Sequence, residues 1–337
     1  MLPLETGVPQ GSILGPLLFL LYINDLPSAV SLKCVKFADD TNLLISSNDF
    51  SNLIQTLNGE LEKINDFFKA NQLKLNAQKT KMVYFSKKTT DPAVNQTIVK
   101  LDGIRLEFED SASFLGLQID SRLNWDKHCT KVANTISRNN SMINRVKKLL
   151  PPETLKLLYY SFIQPYLQYG LTLWGGCSNQ NKKRVIAIQK RSIRTVSKSY
   201  FTSHTEPRMK KLGILKLEDL YKQQCLVNMH DCVHENAPSP ICKLVQLESN
   251  ISRFNLRSNS QNPLNVTTPI TKSRISSQSF SAKGPAFWNP LSSELKGMTR
   301  KASFKNRVKK DILKEYQTAS ECCNPRCMDR RHHHQID

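Results

Sequence analysis

The sequence has a shortage of acid, no long apolar run, no internal repeat and no cysteine framework. Asp and Glu number 28 against 48 Lys and Arg in 337 residues, a formal charge of +20 with a pI near 9.6. Such an imbalance points to a polyanionic partner, because each Lys or Arg set on a phosphate releases a condensed counterion. The plainer reading is a basic protein that is merely soluble. The most apolar stretch, Ile13–Ile23, is interrupted by Gly15 and Pro16. It falls well short of the roughly 20 residues that a bilayer requires and suits a buried helix, so no membrane span is expected. Nine cysteines are an odd number, and Cys34, Cys129, Cys177, Cys225, Cys232 and Cys242 lack metal-ligand spacing. Met1–Glu5 offers no basic leader region, so the thiols read as reduced and the protein as intracellular. What is present is 39% hydrophobic residues, enough for packed cores and about two domains.

Along the chain, a Gly/Pro-containing loop leads into an apolar helix with Pro16 in its first turn, closed by Asn24-Asp25-Leu26-Pro27. Val35–Ala38 and Leu43–Ile45 read as strands around an acidic turn. Leu53, Leu57, Leu61, Ile64 and Phe68 recur on one helical face. Leu73–Leu75 and Met82–Phe85 look strand-like, as do segments of Ile98–Ile119. Helices follow from Asp126, with a stripe at Val132, Ile136, Ile143, Val146 and Leu150, then over Glu153–Gln164, Lys182–Lys198 and Leu217–Val233. Asn250–Gly284 reads as irregular, Phe287–Pro290 as an apolar island, and Phe304–Tyr316 as a basic helix.

Two blocks carry chemistry. The first is Phe37-Ala38-Asp39-Asp40. Nucleotidyl transfer by two metal ions needs fixed carboxylates, and a hairpin turn fixes them through its flanking strands. Neighbouring strand residues face opposite ways, so one aspartate should face the metals more squarely than the other. An adjacent Asp pair alone is an ordinary solvated turn. The second block is Gly7-Val8-Pro9-Gln10-Gly11-Ser12, whose glycines permit close backbone approach ahead of a helix N-terminus. An ordinary helix start is the bland account of it.

The order of these blocks, with Asn24-Asp25-Leu26-Pro27 between them, resembles the reverse transcriptases of non-LTR, LINE-type retrotransposons, particularly jockey-like ones. Leu75–Thr80 looks like the lysine-bearing fourth palm motif and Phe114-Leu115-Gly116 like the primer grip. Trp125-Asp126 onward resembles the thumb, with Pro165-Tyr166, Tyr169-Gly170 and Trp174-Gly175 as further matches. Ser279-Phe280, Trp288-Asn289-Pro290 and Ser303–Lys305 are similar to the C-terminal segment.

The resemblance implies an α+β fold: a partial palm with an antiparallel sheet and helices over 1–122, thumb helices over 123–176, and a mostly helical basic region over 177–318. A disordered tail would follow over 319–337. It implies an RNA-directed DNA polymerase that copies an RNA template from a DNA primer with dNTPs. Mg²⁺ or Mn²⁺ would sit on Asp39, the principal ligand, and Asp40, the supporting one. Pro9, Gln10 and Gly11 would line the nucleotide and template base, together with Phe37 and with Ala38 beneath the primer end. Lys79 could protonate the leaving pyrophosphate, and Phe114, Leu115 and Gly116 would position the primer. Such a protein belongs in the nucleus or a cytoplasmic ribonucleoprotein.

The family needs a further aspartate on a strand upstream of the glutamine loop, and fingers with it. Glu5 is the only acid ahead of the loop, so the chain is expected to be N-terminally truncated, its metal site incomplete, and the isolated chain inactive in polymerisation. The rival is a non-catalytic remnant that holds nucleic acid through its basic thumb and C-terminal region. An acidic-turn phosphohydrolase would leave the glutamine loop unexplained. Cys322, Cys323 and Cys327 with His332–His334 leave a fourth zinc ligand undefined. Trp174, Tyr166 and Tyr169 are expected in the thumb core.

Overall fold

A computed structural model describes residues 11–86, 97–248 and 263–317, in two units that divide between Ala112 and Ser113. The expectations placed on Pro9, Gln10 and the Cys/His tail lie outside the described residues.

In the first unit, Ser12 Oγ accepts the Gly15 N–H at 3.0 Å and opens helix α1 (Gly15–Tyr22). Burial of this helix was expected and is not found. None of its residues is buried, and Ile13, just ahead of it, is 95% exposed. Its apolar side chains surround the axis instead of forming one stripe, a pattern that ordinarily goes with burial on all sides, so the exposure runs against what composition predicts. Only the exit is buried, at Ile23 and at Leu26 of the short α2 (Leu26–Ala29). Strands β1 (Lys33–Phe37) and β2 (Asp40–Leu44) pair antiparallel from Lys33↔Leu44 to Phe37↔Asp40.

Helix α3 (Phe50–Ala70) starts where the Asp49 carboxylate accepts the Asn52 N–H at 2.8 Å. Its Leu57, Leu61, Ile64 and Phe68 pack with Val99 and Leu101 of β3 (Val99–Leu101) and Leu106 of β4 (Ile104–Leu106). Asp102-Gly103, both at positive φ, forms the tight turn between those strands. The strands thus form separate pairs and not one sheet.

The expected strands at Leu73–Leu75 and Met82–Phe85 are absent. Gln72 turns left-handed after α3, Asn76 closes a turn on Lys79, and only Met82 bridges to Phe108. Leu75 and Met82 still tuck against the core. Any extended segment with one inward side chain mimics a strand over so few residues.

Glu60 is buried on α3 and receives the Ser31 N–H at 2.7 Å, the Ser31 Oγ–H at 2.8 Å and Lys63 Nζ at 2.7 Å. These bonds, Lys63 foremost, hold its carboxyl down to a pKa of about 2. They also tie the start of the Asp39-bearing hairpin to α3. A depressed carboxylate stabilises the fold above its unfolded pKa of about 4.3 and loses that contribution as pH falls toward the folded value. Glu60→Gln should therefore lower stability by about 1–3 kcal/mol at neutral pH, read by urea titration. The deficit should shrink below about pH 4; one independent of pH would contradict this account.

The second unit is mainly helical. Strand β5 (Ser111–Phe114), which runs through the division, pairs with β6 (Leu117–Asp120). Helices α4 (Asp126–Val146), α5 (Pro152–Phe162), α6 (Gln164–Gln168), α7 (Leu171–Trp174) and α8 (Asn179–Val196) follow. Next come α9 (Glu206–Leu212), α10 (Leu217–Val233), α11 (Ser239–Cys242) and α12 (Arg274–Ser277), then α13 (Phe280–Trp288), α14 (Ser293–Lys296) and α15 (Lys301–Lys314). One core runs through Ile136, Tyr159, Trp174, Ile193, Leu226, Trp288 and Phe304.

The α10 bounds coincide with the sequence expectation, whereas Phe280–Gly284 is helical instead of irregular. Gln189 lies buried among three elements. Its amide donates to Tyr159 Oη and the Leu215 carbonyl, and its oxygen accepts the Leu217 N–H. Trp174 is in the core as expected, but Tyr166 and Tyr169 are exposed, at 43% and 54%. Each presents an apolar ring and a wet hydroxyl, a combination that sequence cannot sort into core or surface.

Candidate active site

The acidic turn is built by its hairpin. Phe37 and Asp40 close the ladder, leaving Ala38-Asp39 as the two turn residues. Ala38 has φ 52°, in the left-handed region. That conformation costs an L-residue about 1–2 kcal/mol, and strain of this kind collects at functional turns. Phe37, Ala38, Asp39 and Asp40 are all exposed. No hydrogen bond or ion pair from the described residues engages either carboxylate. The two acids are therefore free to take ligands from solvent.

Lys36 Nζ, on β1, donates to the Ile23 carbonyl at 2.8 Å. It ties the acidic hairpin to the end of the α1 segment, which begins just after the exposed, positive-φ Gly11. Sequence reasoning passed over Lys36, because one lysine in a basic chain carries no signal of its own. Lys79 is exposed in the turn closed by Asn76, whose Oδ1 accepts its N–H at 3.1 Å, while the neighbouring Ala77 is buried in the core.

Phe114 ends β5, and Leu115-Gly116, both at positive φ, connect it to β6. In the second unit the Tyr169 hydroxyl donates to the Leu115 carbonyl, and Lys131 Nζ donates to the Gly116 carbonyl at 3.2 Å. Gly170 follows at φ 60°; a Cβ there would lie 2.7 Å from a Leu117 methyl. The Tyr-Gly pair noticed in the sequence thus holds the strand connection by one hydroxyl and one close approach.

Among the described residues, no group of three or more His, Cys, Asp or Glu could hold a metal ion. Asp39 and Asp40 stand as a two-carboxylate donor set. Mg²⁺ is commonly held by one or two protein carboxylates, with water and phosphate oxygens completing its octahedron. Exposed carboxylate oxygens such as theirs are the donor type that this ion takes.

Residues 2–119 match the family described as reverse transcriptase (RNA-dependent DNA polymerase). Three relatives from Drosophila melanogaster also match. A probable RNA-directed DNA polymerase from transposon BS is 29% identical over 58% of this chain and 22% of its own length. The RNA-directed DNA polymerase from mobile element jockey is 25% identical over 64% of this chain and 24% of its own. A probable RNA-directed DNA polymerase from transposon X-element is 27% identical over 57% and 22%. The chain therefore spans less than a quarter of the length of these relatives. No solved structure matches.

Proposed function

We propose that this chain, similar over its first part to reverse transcriptases and to the polymerases of jockey-like, LINE-type elements, contributes through its first unit the metal-binding turn of an RNA-directed DNA polymerase. The observation that carries the proposal is the pair of unengaged carboxylates, Asp39 and Asp40, on a hairpin turn tethered by Lys36. Mg²⁺ or Mn²⁺ on that pair would polarise the incoming phosphate and favour attack by a primer 3′ hydroxyl.

Asp39 is the principal ligand in this reading and Asp40 the supporting one. Pro9, Gln10 and Gly11, with Phe37 and Ala38, lie against the nucleotide and template base. Lys79 stands as the general acid for pyrophosphate, and Phe114, Leu115 and Gly116 position the primer. The first unit corresponds to palm, and the helices that follow Asp126 to thumb and basic C-terminal region. The partners are an RNA template, a DNA primer and dNTPs, and the place of work is the nucleus or a cytoplasmic ribonucleoprotein. No described helix is long and apolar enough to cross a membrane.

The test is primer extension by the full chain on an RNA template, with Mg²⁺ or Mn²⁺, comparing a 3′-hydroxyl primer with a 3′-dideoxy one. Extension that needs both the metal and the hydroxyl would support the reading. Phosphate release without extension would mark a hydrolase instead, and no extension with either metal counts against the proposal.

A further inference from the structure

A cavity of about 710 Å³ opens within the second unit, far along the sequence from the acidic turn. It lies where α8 begins, against α10, α12 and α13. Two glycines make it possible. A Cβ on Gly175 would lie 2.4 Å from Tyr221 Cδ2, and one on Gly176 would lie 2.5 Å from the Gln278 carbonyl oxygen. Only a chain without side chains there can run so close to α10 and to the residues after α12. It then turns into α8, where Ser178 Oγ accepts the Asn181 N–H.

The electrostatics are lopsided. Lys182, Lys222, Arg274 and Lys283 all line this space, and none of their side chains has an ion pair or hydrogen bond with another described residue. Two acids line it as well. One of them, Asp219, is already engaged by the Tyr316 hydroxyl at 2.5 Å. The first-turn N–H groups of α8 add partial positive charge at the same wall. With Glu218 as the second acid, the four cations still leave the opening with an excess of about two positive charges, which favours an anionic ligand.

The remaining lining narrows the class of anion. Phe287 is half-buried in the wall, edge-on to Tyr221 with ring centroids 6.0 Å apart. The amide side chains of Gln180 and Gln278 stand nearby. Cations that track phosphates, beside a flat ring and amide hydrogen-bonding groups, are what an unpaired nucleotide uses. A base still stacked in a duplex could not enter a pocket of this volume.

We infer that this cavity binds a stretch of single-stranded nucleic acid, its phosphates on Lys182, Lys222, Arg274 and Lys283 and one base against Phe287. This goes beyond the polymerase reading and does not require it, since every group named belongs to the second unit.

The test is fluorescence anisotropy of a labelled RNA strand of about 12 nucleotides with the full chain, in EDTA so that metal chemistry plays no part. The variant Lys182→Ala/Lys222→Ala/Lys283→Ala is compared with Lys147→Ala/Lys148→Ala/Lys310→Ala, which removes the same charge elsewhere. The cavity variant should bind about tenfold or more weakly near 0.1 M salt and lower the slope of log K against log salt by about two. The control should change both far less. Phe287→Leu should weaken binding with the slope unchanged, because stacking is not electrostatic.

Equal losses in the two lysine variants would overturn the site, as would an unchanged slope in the cavity variant. It would fall equally if those lysines governed binding to phosphatidylserine vesicles while RNA affinity stayed intact. None of these readings depends on extension activity, so failure of the polymerase proposal and failure of this one are separable.

Discussion

Asp39→Ala is expected to lower metal-dependent primer extension by about 10³-fold or more, with Asp40→Ala costing only about 10–100-fold. A metal ion on the reacting phosphate is worth several kcal/mol of transition-state charge stabilisation, and each 1.4 kcal/mol is tenfold in rate. The backbone sets the order of the two effects. Asp39 is a turn residue outside the ladder, aimed by the strained Ala38 at φ 52°. Asp40 belongs to β2 and is paired in register with Phe37, so in this reading it supports the metal chiefly by orienting its neighbour. Losses of supporting groups around a metal are usually 10–100-fold. Equal effects, or a larger one at Asp40, would reverse the assignment. Incorporation that survives Asp39→Ala would remove the turn from the chemistry altogether.

The acidic hairpin was legible because its signals are local. Two short apolar runs flank an acidic pair, and nothing beyond the next few residues is needed to form the turn. The face of α3 was legible for a similar reason, a hydrophobic period that repeats within one element, whereas α10 is buried on all sides and shows no such stripe. The exposure of α1 was not legible, because a helix apolar on every side ordinarily goes with burial. The Leu73–Leu75 strand failed because a strand is defined by its neighbour, and only Met82 of the second segment finds one.

The cavity is the extreme case. Its lining runs from Gly176 to Phe287 and comes from four helices and their connections. Lys182 belongs to a helix whose basic character the sequence shows, but Lys222, Arg274 and Lys283 do not stand out from the 48 in the chain. The sequence marks Gly175 only beside Trp174, as a family match, and Gly176 not at all. The close pass of the two glycines beneath Tyr221 and Gln278 appears only once the helices are packed.

Trp288→Ala should give the largest stability loss in the second unit, about 3–5 kcal/mol. Its ring is fully buried, with its centroid 5.8 Å from that of Phe304. Its Nε1–H donates to the Leu264 carbonyl at 2.8 Å. The next residue extends that seam. Asn289 Oδ1 accepts the Val266 N–H at 3.0 Å while its Nδ2 donates to the Val266 carbonyl at 2.8 Å, so one side chain stands in for a paired strand. Buried Lys296 completes it, donating to Asn265 Oδ1 and the Asn289 carbonyl, both at 2.7 Å. Burial pushes the Lys296 pKa down.

Removing the indole takes away both the packing and the hydrogen bond that hold the 264–266 segment to α13. Trp288→Phe keeps most of the apolar area and should cost less, chiefly the unpaired Leu264 carbonyl at about 1–3 kcal/mol. Urea unfolding followed by far-ultraviolet circular dichroism measures both, since the signal does not rely on the tryptophan removed. A loss below about 1 kcal/mol for Trp288→Ala, where buried aromatic truncations ordinarily cost several, would mean that the seam does not anchor α13 to the core.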